Sequence, residues 1–427
     1  MTTRFSRRST LASLLASTAL LSTGVTRATF AAGAAANKSN EARLVFIILR
    51  GGMDGLSAVP AYGDPDFANA RDALAIPPPG ANGGTLDLDG FFGLNPRLTQ
   101  LHGLYGAGEL LVVQAVCSPY RSRSHFDGQN VLECGAPVPF GLDSGWLNRA
   151  LEPLSAKGPR GIAISSAVPL ALRGNVPVMS WAPSRLPAPQ EDLIARVASL
   201  YAHDERLANA FAEAQAARGV MGTGIAVRAG AAGAGAGGGS AGGGGEKDGR
   251  GGAAIEMMRA AGKFLARDDG PRVAMLEASG WDSHATQAQP AGALYRNLSA
   301  LDAGMDELRN ALGTTWRNTV VVIATEFGRT VAMNGTSGTD HGSGGAMFLA
   351  GGAVQGKRVL TDWPGLSVAN RYEGRDLRAT TDMRAVLKGV LHDHFQIADG
   401  HLEARVFPDS RSAKRIEGLV RAPLAGA

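Results

Sequence analysis

The sequence has 427 residues, which is enough for two or three domains or for one large α/β domain. Lys and Arg total 42 and Asp and Glu total 38, but four arginines are the only charged residues among the first 36. Without those four, the positive and negative side chains balance, so the chain lacks the basic surface of a nucleic-acid-binding protein. Cys117 and Cys134 are the only cysteines. They could form one disulfide, but they are too few for a disulfide-rich scaffold or a thiolate zinc site.

Residues 1–36 have the pattern of an export signal. Arg7 and Arg8 form a basic start, residues 11–25 are mildly apolar, and small residues lead up to Ala36. The paired arginines resemble a twin-arginine signal, which predicts a periplasmic or extracellular protein and an encounter with the twin-arginine translocase. The alternative is a membrane anchor, but this stretch is shorter than the ~20 residues that span a bilayer. No later stretch is long and apolar enough either, so we expect no stable membrane span.

The remainder, residues 37–427, is predicted to be a single domain in which strands alternate with helices. Short apolar runs predict strands at residues 44–49, 110–117, 161–165, 272–278, 320–325 and 346–350. Helical patterns cover residues 191–217, 255–266, 293–312 and 382–395. This alternation predicts an α/β fold with a doubly wound, mostly parallel sheet and helices on both faces. In such folds, ligands bind at the carboxyl ends of the strands.

Residues 229–253 interrupt this pattern. Between Gly230 and Gly252, 13 of 23 residues are glycine. A stretch with so few apolar side chains cannot compensate for the entropy lost on ordering, so we predict a disordered insertion within the domain.

Acidic and imidazole side chains follow several predicted strands. Asp54 follows the first strand, Asp282 and His284 follow the strand at 272–278, Glu326 follows the strand at 320–325, and Asp340 and His341 precede the last strand. If these side chains meet at one sheet edge, their charges favour a divalent cation, and carboxylate and imidazole ligands suit zinc, manganese or magnesium. The competing interpretation is that Asp54 and His284 cap helices and that Asp340 and His341 form a surface turn.

A second polar segment, residues 117–127, follows the strand at 110–117. Its candidate catalytic residues are Ser122, Ser124 and His125, and the two serines cannot be ranked as nucleophiles from spacing. Arg121 and Arg123, together with Arg329, are candidates for binding an anionic ester. The alternative is structural: Ser124 caps a helix, His125 packs, and the arginines are solvated or paired.

Several motifs together resemble the bacterial family called domain of unknown function 1501, which is grouped with the alkaline phosphatase superfamily. The motifs are residues 49–55, 91–96, 118–126, 145–149, 325–329 and 338–342. The resemblance implies an alkaline-phosphatase-like fold with one or two metals and a nucleophile that attacks a phosphate or sulfate ester. It matches Asp54, Asp282, His284, Glu326 and His341 to metal ligands, with Asp340 adjacent.

This chain departs from the superfamily pattern at two places. Glu326 and Phe327 stand where related hydrolases carry Asp and His, and the spacing from Asp282 to His284 is unusually short. Residues 117–121 are similar to the sulfatase signature, but Tyr120 replaces its usual serine, so an ordinary thiol is expected at Cys117.

Two functions are therefore predicted. The first is an exported metal-dependent hydrolase or transferase that acts on a phosphate or sulfate ester, in a small anionic molecule or a polymer. The alternative is a non-catalytic exported binding protein on a hydrolase-like scaffold.

Overall fold

Short runs of branched apolar residues form the strands of a central mixed sheet. A computed structural model describes residues 41–154, 159–183, 191–221, 249–287, 289 and 292–421. The strands are β1 (Arg43–Arg50), β2 (Leu86–Asp87), β3 (Gly93–Leu94), β4 (Leu110–Cys117), β5 (Gly161–Ile164), β6 (Met179–Trp181), β7 (Val273–Ser279), β8 (Thr319–Ala324), β9 (Gly345–Ala350), β10 (Arg358–Leu360) and β11 (Thr381–Asp382).

Within the described residues, nine of these strands form one sheet in the order β10-β4-β9-β8-β1-β7-β5-β6, with β11 beside β4. The neighbours of β1 and β7 are parallel to them, whereas β9 runs antiparallel to both β4 and β8. Strands β2 and β3 form a separate antiparallel pair. The main sheet is thus mostly parallel, with one reversed strand near its middle.

Helices cover both faces of this sheet. They are α1 (Gly55–Ala58), α2 (Phe67–Arg71), α3 (Thr99–Gly106), α4 (His125–Cys134), α5 (Trp146–Leu151), α6 (Glu191–Tyr201), α7 (Glu205–Met221), α8 (Gly249–Leu265), α9 (Ala293–Leu312), α10 (Met383–Phe395) and α11 (Asp399–His401). Alternate residues of β1 face opposite sides, as strand geometry requires. Ile47 packs into a core with α3, α8 and α9, and Phe46 packs into a second core with α5 and α10.

The predicted fold class is therefore confirmed, with differences in detail. The predicted helix at residues 191–217 is two helices, because the Asp204 carboxylate accepts a hydrogen bond from the Leu207 amide and begins a new helix there. Residues 249–253 of the predicted disordered insertion form the start of α8. Residues 229–248 and the predicted export signal at 1–36 lie outside the described residues.

From Ala42 onward the described residues belong to one compact unit. None of the described helices combines the length and the hydrophobicity needed to cross a bilayer.

Candidate metal centre

The polar segments predicted from sequence meet at one edge of the sheet. Strands β1, β4, β7 and β8 run in the same direction, so the segments that follow them emerge together. Residues 338–342 precede β9 rather than follow it. They reach the same edge because β9 is antiparallel, which places its first residue, Gly345, beside Val116 near the end of β4.

At this edge, His125, Asp282 and His341 form a group whose ligand atoms all lie within 4.8 Å of one another. Nε2 of His125 is 3.4 Å from Oδ2 of Asp282, and Nε2 of His341 is 3.4 Å from Oδ1 of the same carboxylate. His284 stands beside them, with its Nε2 3.0 Å from both Asp282 Oδ1 and His341 Nε2. We call these four residues the imidazole cluster.

Each imidazole is held in place through its other nitrogen. Nδ1 of His125 lies 2.7 Å from Oε1 of the buried Glu326, and Nδ1 of His284 lies 3.1 Å from Oδ1 of Asp340. Nδ1 of His341 lies 2.9 Å from the carbonyl oxygen of Arg123. All three partners accept hydrogen bonds, so each Nδ1 donates and each Nε2 is directed toward Asp282. Metal-binding histidines are oriented by such contacts.

Local backbone geometry makes these approaches feasible. The Ser124 side chain accepts a hydrogen bond from the Asp127 amide, so α4 begins at His125. Arg123, just before this cap, has a φ of +62°, and its carbonyl is the one that His341 contacts. Gly51 has a φ of +124°, and a Cβ on it would lie 2.5 Å from the Asp282 nitrogen. Glycine at this position therefore lets the segment that follows β7 and carries Asp282 pass close to the end of β1.

Asp282 carries the negative charge of the imidazole cluster. Burial raises the pKa of this carboxyl, but its close contacts with His125 and His341 and the hydrogen bond from Arg329 outweigh that effect and hold the pKa far below its usual range. Burial likewise lowers the pKa of His125, but Asp282 and Glu326 outweigh it and raise the pKa to about 9. Without a bound cation, the negative groups around His125 thus favour a positive charge on its ring.

The donor set fits a small divalent cation. Metal–nitrogen and metal–oxygen bonds of about 2.1 Å in a tetrahedral site imply ligand–ligand separations of roughly 3.4 Å, close to those around Asp282. The Nε2 atom of His125 is buried and has no hydrogen-bond partner in the described structure. A buried nitrogen of this kind is costly unless something binds it. Cation binding by His125, Asp282 and His341 would satisfy it.

Two predicted ligands support the imidazoles instead. Glu326 is fully buried and accepts from the Gly51 amide at 2.9 Å and from Gln129 Nε2 at 3.0 Å, in addition to its contact with His125. Asp340 accepts from Asn334 and contacts His284. Phe327, which follows Glu326, stacks on the His125 ring at a centroid distance of 4.8 Å.

The structure does not bring Asp54 into the cluster, which corrects its prediction as a metal ligand. Asp54 caps α1 by accepting from the amides of Leu56 and Ser57, and it forms a buried ion pair with Arg71. It also accepts hydrogen bonds from Gln287 and from the Ser57 hydroxyl. Because these contacts satisfy both oxygens, the helix-cap interpretation is the correct one for Asp54.

The three arginines predicted to bind substrate are all engaged in contacts within the protein. Arg121 donates to the carbonyls of Ser118 and Tyr120, and Arg123 pairs with Asp376 at 2.8 Å and Glu373 at 2.5 Å. Arg329 is buried and donates to Asp282 Oδ1 at 2.6 Å. These contacts give Arg121 and Arg123 structural roles, and they make Arg329 a partner of Asp282 rather than a group that is free to bind substrate.

The predicted nucleophiles lie outside the cluster. Ser124 serves as the cap of α4, and Ser122 is exposed. Cys117 and Cys134 are both buried free thiols, so the disulfide considered from sequence is absent from the described structure. Burial raises the pKa of both thiols, which disfavours their reactive thiolate form. His125, predicted as a catalytic residue, belongs to the candidate metal centre.

Sequence reasoning missed several supporting residues. Gln129 lies four residues after His125, so one turn of α4 brings both side chains to Glu326. This spacing could have been used. Gln287 and Thr339 had no such signal, since they contact each other across 52 positions of the sequence and Gln287 reaches Asp54 across 233.

No curated protein matches this chain. Among solved structures, it is similar to Ps i-CgsB in complex with k-i-k-neocarrahexaose, at 12% identity and a TM-score of 0.29, over 72% of this chain and 65% of that chain. It is also similar to BT1596, a 2-O GAG sulfatase, at 12% identity and a TM-score of 0.31, over 75% and 66% of the two chains. This chain thus spans about two thirds of the length of each, and neither similarity is close enough to bear on its activity.

The family model described as "Protein of unknown function (DUF1501)" matches residues 116–407, which include all four cluster residues and four of the five polar segments at this sheet edge, all but the one that follows β1. This chain belongs to the DUF1501 family.

Proposed function

We propose that this protein is a metal-dependent hydrolase or transferase that acts on a phosphate or sulfate ester, and that it works outside the cytoplasm after export through the twin-arginine pathway. The observation that carries the proposal is the imidazole cluster: three rings, each anchored at Nδ1, direct Nε2 toward one carboxylate. The cluster is accessible to solvent, since the side chains of Asp282 and His284 are 41% and 44% exposed. A substrate can therefore reach it.

We assign His125, Asp282 and His341 as the three protein ligands of a single divalent cation, because they form the group with metal-ligand spacing. Three protein ligands leave a coordination position open, as in catalytic rather than structural zinc sites. A cation bound there supplies Lewis acidity toward an ester oxygen and toward water. Arg329 and Glu326 keep Asp282 and His125 in place.

His284 and Asp340 form the proposed acid–base pair. Asp340 orients the ring through Nδ1, which leaves Nε2 beside the three proposed ligands. There, Nε2 can take a proton from an attacking water and return one to the leaving oxygen. Water is the proposed nucleophile because Ser124 caps a helix and neither cysteine has an activated thiol.

Metal binding is the first test. The protein is treated with chelator, titrated with zinc, manganese or magnesium, and followed by calorimetry and thermal unfolding. We expect one ion per chain and a higher Tm with metal. His341→Ala and Asp282→Asn should abolish both effects, whereas His203→Ala, which alters an exposed histidine on the linker between α6 and α7, should change neither.

Turnover is the second test. The metal-loaded protein is assayed with 4-nitrophenyl phosphate and 4-nitrophenyl sulfate. We expect Asp282→Asn to abolish hydrolysis, and we expect His284→Ala to lower kcat by about 10²–10⁴-fold while the ion stays bound. Absence of metal binding in the wild-type protein would reject the proposal. Metal binding without hydrolysis of either ester would favour the non-catalytic alternative.

A further inference from the structure

A continuous chain of buried hydrogen bonds connects the core ion pair to the candidate metal centre. Its members, in order of contact, are Arg71, Asp54, Gln287, Thr339, Arg329 and Asp282. The first five are at most 1% exposed, and only Asp282 reaches solvent. We call this set the buried hydrogen-bond chain.

The central link is Thr339. Its hydroxyl donates to Gln287 Oε1 at 2.7 Å and accepts from Arg329 Nε at 3.1 Å. Arg329 Nη2 also donates to the Thr339 carbonyl, so this one residue contacts two sides of the guanidinium. Arg329 Nη1 then donates to Asp282 Oδ1 at 2.6 Å. The N–H groups of a planar guanidinium have fixed relative directions. Holding Nε and Nη2 against Thr339 therefore also fixes the direction in which Nη1 donates to Asp282.

Gln287 supports Thr339 from the other side. Its Oε1 accepts from both Thr339 and Ser283, the residue after Asp282, at 2.7 Å each. Its Nε2 donates to Asp54 and Ser57. Gln287 thus joins the segment that carries Asp282 to the segment that carries Thr339. All donors and acceptors of its amide group have partners, which suits a rigid support.

We propose that Thr339 and Gln287 are positioning residues that set the place of the Asp282 carboxylate through Arg329 and thereby tune cation affinity. This inference rests on the proposed function, because it assigns a role within the same metal centre. Neither residue touches the cation position. Residues that orient metal ligands typically change affinity by about 10–100-fold when they are removed.

Thr339→Val is the decisive variant, because it removes the hydroxyl and keeps the branched shape. Thr319→Val is the matched control: Thr319 is equally buried, and its hydroxyl donates to the Thr315 carbonyl at 2.8 Å, away from the cluster. We expect a similar fall in Tm for both variants. Zinc affinity, measured by competition with a chromophoric chelator, should fall about 10–100-fold in Thr339→Val only. Thr339→Ser, which keeps the hydroxyl, should restore it.

A second readout needs no metal. In the metal-free protein, the Arg329 Nε–H should exchange slowly with solvent by NMR, because it is buried and bonded to Thr339. We expect faster exchange in Thr339→Val and unchanged exchange in Thr319→Val. Unchanged affinity in Thr339→Val, with wild-type protein that binds zinc, would overturn the inference alone. If the wild-type protein binds none of zinc, manganese and magnesium, the proposed function fails. Unchanged Arg329 exchange in Thr339→Val would then overturn the positioning role as well.

Discussion

The ion pair between Asp54 and Arg71 offers a direct test of the structural role assigned to Asp54. Both side chains are at most 1% exposed, and Arg71 also donates to the carbonyls of Thr330 and Val331. Asp54→Asn removes the negative charge and leaves Arg71 buried without its counter-ion. Removing one partner of a buried pair costs about 3–5 kcal/mol, whereas an exposed pair would contribute less than about 1 kcal/mol.

The expected change in Tm follows from the size of the folded unit. It spans residues 42–427, and an unfolding entropy of roughly 2.1 cal/mol/K per residue gives about 0.8 kcal/mol/K. A loss of 3–5 kcal/mol therefore lowers Tm by about 4–6 °C. Arg71→Met should have a similar effect, and the double variant should lose less than the sum of the two, because the uncompensated charge is gone.

The assay is thermal unfolding of the metal-free proteins at neutral pH and at pH 3. Burial raises the pKa of Asp54, but the charge of Arg71 and the hydrogen bonds from Arg71, Gln287 and Ser57 hold it below the ordinary 3.8. A carboxyl with a lowered pKa contributes its full stability above the unfolded value and loses it as the pH falls toward the folded value. The gap in Tm between wild type and Asp54→Asn should therefore narrow below about pH 4. An Asp54→Asn protein with unchanged Tm and no metal binding would refute the reasoning and make Asp54 a ligand.

Three further predictions concern other positions. Glu326→Gln weakens the acceptor for His125, so zinc affinity measured by competition should fall about 10–100-fold. Gly51→Ala introduces a Cβ that would lie 2.5 Å from the Asp282 nitrogen on a backbone with a φ of +124°, so both Tm and zinc affinity should fall. Burial and the nearby charge of Arg272 lower the pKa of His394 to about 4. Because the unfolded form gains a proton first, wild-type stability should decline as the pH falls from 6.5 toward 4, by at most about 3 kcal/mol. His394→Gln, which does not titrate, should remove this decline in pH-dependent unfolding.

Strand positions and the edge at which the polar segments meet could be predicted because a parallel sheet requires unbroken apolar runs. The convergence of Asp282, His284 and His341 followed from those runs. The sequence argument that placed His341 at this edge was nevertheless incomplete, because a segment that precedes a parallel strand would lie at the opposite edge of the sheet. Only the antiparallel direction of β9 brings His341 to Asp282.

The roles of individual polar residues were harder to predict. Asp54 and Asp282 both follow strands, yet one meets Arg71 in the core and the other meets three imidazoles at the surface. Arg123 and Arg329 look alike in sequence, but their partners are up to about 250 residues away along the chain. Such pairings depend on tertiary packing, which local patterns do not encode.

The three proposed ligands lie far apart in the chain, at positions 125, 282 and 341. An ion shared among them would link three segments of the chain, one of them the start of α4, and it can bind only when β4, β7 and β9 have all assembled. A bound ion would then indicate that the strands carrying all three ligands have assembled into the sheet. At a free ion concentration one hundred times Kd, ion binding would add about 2.7 kcal/mol to the free energy of unfolding. Scarcity of the ion would therefore make the protein more prone to unfolding and proteolysis.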